Sequence, residues 1–350
     1  MTTGKHHAIE INKETPSMAF RILVTAPRLA PAGQRVLAAA QCETVYIDDA
    51  QNAAQVAHIL ATQPIDAVIS RTVDLSGAAI AACPTLRVIC KHGVGVTNID
   101  VDAATQRGIP VFTTPGTNTH SVAELAIGLM LAAARKLNFY DSELRAGRWT
   151  RTGDGRQLHG RTLGLVGYGQ IGKRVAAIAH ALGMNVRAFD PVAKPADAQP
   201  FVTLERSLND LLAHADVLSL HCPVNAHTRN LLDAQAIARL PDGAIVINTA
   251  RGELIDESAL VDALRSGKLA AAGLDTFRNE PLPAGDPLAA LPNVVLTPHV
   301  GGSTPDALDA VAVSAAETCL RYLRGEPLDA AACVNPAALT LSHADSKVIA

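Results

Sequence analysis

The stretch Thr162-Leu-Gly-Leu-Val-Gly-Tyr-Gly-Gln-Ile-Gly172 decides the fold of this chain. Its first five residues are an apolar run that predicts a short strand, and a helical pattern over 173–182 follows the last glycine. In such a unit Gly167 permits a tight turn, Gly169 lets the backbone approach a pyrophosphate, and Gly172 allows close contact between helix and sheet. The helix N-terminus offers free N–H groups to the phosphates. We therefore predict a dinucleotide site, although three glycines alone also fit an ordinary glycine-rich turn.

Asp190 strengthens this prediction. It lies 18 positions after Gly172, at the end of the next apolar run, and an acid that binds the adenosine ribose is expected after about 20 residues. A carboxylate there accepts hydrogen bonds from both ribose hydroxyls and repels a 2′-phosphate, so we expect NAD rather than NADP. The alternative is that Asp190 only begins a turn before Pro191.

Short apolar runs alternate with helical stretches on both sides of this motif. Four runs between 21 and 90 predict one open parallel sheet, and six runs between 162 and 297 predict a second. We expect one long helix over 121–145 between them and another over 304–324 after them. With only 3% aromatic residues, the cores must consist of small and branched aliphatic side chains, as in parallel sheets. The fold class is therefore α/β, with two doubly wound parallel-sheet domains.

Composition and charge exclude several other classes. Thirty Lys and Arg residues against 33 acids give a net charge of −3 without a basic cluster, so neither nucleic acid nor a membrane surface is an expected partner. The longest strongly apolar run, 125–134, is too short to span a bilayer. Residues 1–18 are expected to form a flexible extension. The six cysteines form no C-x-x-C pair, which predicts reduced thiols, a cytoplasmic location and no metal site.

Three polar residues follow predicted strands of the second region. Arg251 comes after the run 244–248, Glu280 precedes Pro281, and His299 closes the last strand. Singly, they fit a surface arginine, an acid in a turn and a strand-terminal histidine. Together they fit a reaction, because a carboxylate keeps a neighbouring imidazole protonated for transfer to a carbonyl oxygen. The guanidinium can hold a substrate carboxylate through two parallel hydrogen bonds.

With these residues the sequence resembles the D-isomer-specific 2-hydroxyacid dehydrogenase family over about residues 20–330. The matching runs are Lys91-His-Gly-Val-Gly-Val-Thr-Asn-Ile-Asp100, Ser121-Val-Ala-Glu-Leu125, Gly167-Tyr-Gly-Gln-Ile-Gly172, Asn248-Thr-Ala-Arg-Gly252, Gly273-Leu-Asp-Thr-Phe277, Glu280-Pro-Leu and Thr297-Pro-His-Val-Gly-Gly302. Two small departures are Thr97, where members often have Asp or Glu, and Thr276, where Val is common.

The resemblance implies a role for each matching residue. Arg251 would bind the substrate carboxylate, Glu280 would orient His299, and His299 would be the acid/base. The loop Gly93-Val94-Gly95 would give backbone N–H groups to the substrate, and Asp275 would hold the nicotinamide carboxamide. The expected NAD-binding residues are Gly167, Gly169, Gln170, Ile171, Gly172, Asp190, Cys222, Pro223, Thr249, Asp275 and Gly302.

The resemblance also implies the domain organisation. An NAD-binding Rossmann domain would cover 118–302, and a discontinuous flavodoxin-like substrate domain would cover 19–117 and 303–350. The active site would lie in the cleft between them. The family is usually homodimeric, with the 121–145 region contributing to the interface.

The substrate is less well defined by the sequence. Arg71 follows the strand 67–69 and Lys91 begins the glycine loop, so the two cations can hold a second anionic group such as the phosphate of 3-phosphoglycerate. This arrangement is similar to phosphoglycerate dehydrogenases. Alternatively, Arg71 stabilises its loop or binds a plain carboxylate, as in hydroxypyruvate and glyoxylate reductases. A non-catalytic, NAD-sensing corepressor is a remote third possibility.

Overall fold

The computed structural model describes residues 19–340, so the extension expected over 1–18 lies outside the described residues. The described chain forms two compact units, one of residues 19–115 and 311–340 and the other of residues 116–310. Each unit contains one parallel sheet. The predicted α/β class with two doubly wound sheets is therefore confirmed.

The elements follow one another in regular alternation. The strands are β1 Arg21–Val24, β2 Glu43–Tyr46, β3 Ala67–Ser70, β4 Val88–Lys91, β5 Val111–Phe112, β6 Thr162–Val166, β7 Asn185–Phe189, β8 Val202–Leu204, β9 Val217–Leu220, β10 Ala244–Asn248, β11 Leu269–Leu274 and β12 Val294–Leu296. The α-helices are α1 Pro31–Ala39, α2 Ala53–Thr62, α3 Gly77–Ala81, α4 Val101–Gln106, α5 Thr119–Arg135, α6 Leu137–Arg145, α7 Gln170–Ala181, α8 Leu208–Leu212, α9 Ala234–Arg239, α10 Glu257–Ser266 and α11 Pro305–Leu323.

The first unit has the strand order β2-β1-β3-β4-β5, which is the flavodoxin-like order. Side chains of each strand alternate between two cores: Leu23 lies in one, and Ile22 and Val24 lie in the other. Helices α1 and α11 cover the second core at close range. A Cβ at Gly33 would lie 2.6 Å from the Cβ of Ala312, so a glycine is needed where these helices meet.

The segment after α11 closes the edge of β5. Cys333 forms an antiparallel bridge with Phe112, and the buried Asn335 side chain accepts from the N–H of Val111 at 2.7 Å and donates to the carbonyl of Ile109 at 3.0 Å. This pairing was not predicted, because the segment has little apolar periodicity.

The second unit has the strand order β12-β11-β10-β9-β6-β7-β8. Strand β6 therefore lies inside the sheet. The chain adds β7 and β8 on one side of β6 and then β9 to β12 on the other side, as in dinucleotide-binding sheets. The sequence predicted six strands here and missed β8, a three-residue strand whose Thr203 is exposed. Two layers of aliphatic side chains cover the two faces of the sheet.

The long helix predicted over 121–145 is wrong as a single element. Helix α5 ends at Arg135, the next residue Lys136 has a left-handed φ of 53°, and α6 begins at Leu137. A non-glycine residue in this conformation interrupts the regular hydrogen bonding of a helix, which apolar periodicity does not reveal. Within residues 19–340, no helix has the length and apolar character needed to cross a membrane.

Candidate active site

The glycine turn after β6 is closely packed at two of its glycines and open at the third. Gly167 has a φ of +96°, and a Cβ there would lie 2.7 Å from the backbone of His221. A Cβ at Gly172 would lie 2.3 Å from the carbonyl oxygen of Gly167. At Gly169, by contrast, a Cβ would meet nothing within 4 Å. Close packing therefore requires glycine at positions 167 and 172. Gly169 borders open space beside the turn.

Helix α7 begins at this open space. Its N-cap is Gly169, no side chain caps it, and Gln170 and Ile171 form its first turn. Backbone N–H groups at an uncapped helix N-terminus bind phosphate well. The residues present therefore fit the pyrophosphate of NAD.

Asp190 lies beside the glycine turn, directly after β7. Its Oδ2 accepts from the N–H of Tyr168 at 2.8 Å, and its Oδ1 accepts from the N–H of Val192 at 3.0 Å. Because each carboxylate oxygen can accept a second hydrogen bond, Asp190 retains capacity for two ribose hydroxyls.

The segment after β9 forms an uncharged wall next to this turn. Burial lowers the pKa of His221 to about 4, and its Nε2 lies 2.9 Å from the hydroxyl of Ser219. Burial also raises the pKa of the Cys222 thiol to about 11. Both groups are neutral near pH 7, so Cys222 and the adjacent Pro223 provide a surface suited to adenosine.

Glu280 and His299 form a hydrogen-bonded pair in the second unit. Oε2 of Glu280 lies 2.7 Å from Nδ1 of His299, while Oε1 accepts from the N–H of Phe277 at 3.0 Å. Burial opposes ionisation of Glu280, but these two hydrogen bonds and the charges of His299 and Arg251 hold its pKa below the usual value. Glu280 is therefore a carboxylate at neutral pH.

Arg251 follows β10, the strand next to β11. The buried Asn248 side chain donates to the carbonyl of Arg251 at 2.7 Å, and Nη1 of Arg251 donates to the carbonyl of Ala250 at 2.6 Å. Its charge acts on Glu280. The structure thus brings Arg251, Glu280 and His299 to one edge of the second sheet.

Asp275 is fully buried between these residues. Its Oδ1 accepts from the hydroxyl of Thr297 at 2.6 Å and from the N–H of Val300 at 2.8 Å, and its Oδ2 accepts from the N–H of Gly301 at 2.9 Å. Sequence reasoning does not predict these contacts, and the family resemblance implies only a contact of Asp275 with the nicotinamide carboxamide. Gly302 belongs to the same turn, packed against Asn118.

Thr249 also lies at this edge. Its hydroxyl is buried and has no hydrogen-bond partner among residues 19–340. A buried hydroxyl without a partner is costly, and the nicotinamide ribose is the partner that the family resemblance implies for it.

The expected substrate residues of the first unit are arranged around the ends of β1, β3 and β4. The N–H of Arg71 donates to the Thr25 hydroxyl at 2.8 Å, and its guanidinium makes no hydrogen bond or ion pair with any described residue. The buried Lys91 ammonium donates to the carbonyl of Arg71 and to Oδ1 of Asn98. Lys91 therefore links the end of β4 to the end of β3, and the sequence does not predict this link.

The loop 93–95 follows β4. The N–H of Gly93 donates to the Lys91 carbonyl at 2.9 Å and to the Thr114 hydroxyl at 2.9 Å. This amide is used within the chain. The side chain of Val94 is 52% exposed, so the loop itself is accessible.

Comparison with known proteins places these sites in a family. The model of the D-isomer specific 2-hydroxyacid dehydrogenase, NAD binding domain, matches residues 127–301. The chain is 44% identical over 271 residues to D-3-phosphoglycerate dehydrogenase of Mycobacterium leprae, covering 77% of this chain and 51% of that protein. It is 42% identical over 260 residues to hydroxypyruvate reductase of Thermotoga maritima, covering 73% of this chain and 84% of that protein.

A solved structure agrees with these matches. The glyoxylate reductase of Paecilomyes thermophila superimposes with a TM-score of 0.81 at 31% identity, covering 91% of this chain and 98% of that chain. The chain spans about half the length of the Mycobacterium leprae relative that it matches, at 51%. On these sequence and structural grounds, the chain belongs to the D-isomer specific 2-hydroxyacid dehydrogenase family and binds NAD.

Proposed function

We propose that this protein is an NAD-dependent oxidoreductase that interconverts a D-2-hydroxy acid and its 2-keto acid. The observation that carries the proposal is the 2.7 Å contact between Glu280 Oε2 and His299 Nδ1, with the charge of Arg251 beside it. A carboxylate, an imidazole and a guanidinium at one sheet edge provide proton transfer and carboxylate binding together.

The two nitrogens of His299 have separate tasks. Nδ1 is held by Glu280, which leaves Nε2 to donate its proton to the keto oxygen in reduction and to accept it in oxidation. Arg251 holds the substrate carboxylate and thereby fixes the face of the carbonyl that is attacked. When bound, NADH supplies the hydride that reaches the carbonyl carbon.

The first prediction separates proton transfer from cofactor binding. We expect His299→Ala to lower kcat for 2-keto acid reduction by about 100- to 10,000-fold, with the Kd for NADH within about twofold of the wild type. Stopped-flow kinetics and fluorescence titration with NADH measure the two quantities. Wild-type turnover by His299→Ala would remove His299 from the mechanism.

Glu280→Gln tests the pair by its pH dependence. Burial opposes ionisation of Glu280, but the hydrogen bond from His299 holds its pKa below the usual value, so the carboxylate persists until the pH falls through that pKa. The amide of a glutamine takes up no proton in this range, and we therefore expect the acidic arm of the kcat/KM profile for reduction to be lost in Glu280→Gln. Glu317→Gln, at an exposed position of α11, is the control with an unchanged profile. The pair is not coupled if both variants keep the wild-type profile.

We further propose that 3-phosphoglycerate is the substrate, because of the charges near Arg71. Burial, and after it the charge of Arg28, lower the pKa of the Arg71 guanidinium. The nearby His92 has an Nε2 that is buried without a partner among residues 19–340. Burial, then Arg71 and Lys91, lower its pKa to about 4. Like charges that are partly buried are unfavourable unless an anion binds beside them. A phosphate dianion accepts hydrogen bonds well from two guanidinium groups, here those of Arg71 and Arg28.

A third prediction distinguishes this substrate from hydroxypyruvate or glyoxylate. We expect Arg71→Gln to lower kcat/KM for 3-phosphohydroxypyruvate by about 10- to 100-fold, as for a lost hydrogen bond to a charged group, and to leave hydroxypyruvate nearly unaffected. Arg35→Gln, at an exposed position of α1, is the charge-matched control. Equal losses for both substrates would favour the hydroxypyruvate or glyoxylate reductase alternative.

We also propose a homodimer. Helix α6 buries none of its side chains, and Leu137, Leu144 and Trp149 are 54%, 57% and 80% exposed. Such an apolar surface favours a second copy of the chain. We expect light scattering to give the dimer mass, and Leu144→Ser with Trp149→Ser to give the monomer. A monomeric wild type would contradict the proposal.

Two other expectations stay predictions. A cytoplasmic location rests on the sequence alone. A non-catalytic, NAD-sensing corepressor is the remaining alternative, and it would bind NADH without reducing any 2-keto acid.

A further inference from the structure

Three successive amide groups in the turn after β12 donate to one residue. The N–H of His299 donates to the main-chain oxygen of Asp275 at 2.8 Å. The N–H groups of Val300 and Gly301 donate to its Oδ1 and Oδ2. The Thr297 hydroxyl, two residues before His299, donates to Oδ1 as well. Asp275 is thus the common acceptor of the turn that carries the histidine.

His299 has an unusual backbone conformation in this turn. Its φ is 53°, in the left-handed region that residues other than glycine rarely adopt. Such a conformation persists only where the surroundings determine it. Here the surroundings are the hydrogen bonds to Asp275, on both sides of the His299 Cα.

We propose that Asp275 is a positioning residue for the acid/base: its carboxylate holds the turn 297–301, and this turn sets the contact between His299 Nδ1 and Glu280 Oε2. The inference rests on the proposed function for its kinetic consequence. Asp275 acts through His299 and needs no contact with the substrate.

The hydrogen-bond capacity of Asp275 makes this role separable from cofactor binding. A carboxylate oxygen accepts about two hydrogen bonds. Oδ1 already accepts two, from Thr297 and Val300, whereas Oδ2 accepts one, from Gly301. The nicotinamide carboxamide can therefore bind Asp275 only at Oδ2. A substitution of Thr297 changes the hydrogen bonding of Oδ1 alone.

The test compares two Thr→Val substitutions of the same shape. Thr297→Val removes one donor to Oδ1, and we expect kcat for 2-keto acid reduction to fall about fivefold with the Kd for NADH unchanged. The acidic arm of the pH profile for reduction should also move to higher pH, because the hydrogen bond from His299, which holds the pKa of Glu280 down against burial, is weaker in this variant. Thr276→Val is the control, since the Thr276 hydroxyl is buried without a partner in the described chain. It should keep the wild-type kcat and pH profile.

Asp275→Asn tests the carboxylate itself. Its amide keeps the size of the side chain but places an NH2 group opposite N–H or O–H donors of the turn, so we expect at least a 50-fold loss of kcat at saturating NADH. If saturating NADH restores the wild-type kcat, Asp275 is only a cofactor ligand and the proposal is overturned. A wild-type kcat and pH profile in Thr297→Val, or equal losses in Thr276→Val, would overturn it too.

A measurement without turnover keeps this inference separate from the proposed function. The Nδ1 proton of His299, identified by its loss in His299→Ala, can be observed by NMR in the NADH complex. We expect its chemical shift to move upfield in Thr297→Val, as for a longer hydrogen bond to Glu280 Oε2, and to stay unchanged in Thr276→Val. If the wild type reduces no 2-keto acid, the proposed function fails, while this chemical shift still supports or overturns the role of Asp275.

Discussion

Parallel pairing of β10, β11 and β12 is the constraint on which the candidate active site depends. The pairing aligns Asn248 with Leu274, and Leu274 with Leu296, so the three strands end at the same level. Arg251, Asp275 and His299 all follow these ends within a few residues. Side chains that are 24 or more positions apart in sequence thereby reach one edge, where ligands bind in open α/β sheets.

The buried carboxylate of Asp275 converts this alignment into a fixed geometry. Strand pairing alone brings the chain segments together, but it does not orient an imidazole in a turn. The hydrogen bonds from 297, 300 and 301 do so, and Glu280 then receives Nδ1 of His299. The same sheet places the glycine turn and Asp190 around β6 and β7. The glycine turn, Asp190 and the pair of Glu280 and His299 therefore belong to one seven-stranded sheet.

Much of this arrangement follows from sequence reasoning. Strand ends could be predicted because apolar runs stop at Asn248 and Val166, and the glycine spacing predicted the tight turn between β6 and α7. The break at Lys136 could not be predicted, since a lysine in the left-handed conformation has no sequence signal. The engagement of Lys91 with Asn98 and the turn held by Asp275 also escaped prediction. Both depend on which donors tertiary packing brings near an acceptor, and periodicity contains no such information.

In the function that we propose, a fixed Arg251 and a fixed His299 present one face of the keto acid to the hydride. The most direct test of this arrangement is the configuration of the alcohol formed from hydroxypyruvate and NADH, determined by chiral chromatography. We expect the D-2-hydroxy acid as the single product. The L isomer, or a racemic mixture, would contradict the proposed arrangement.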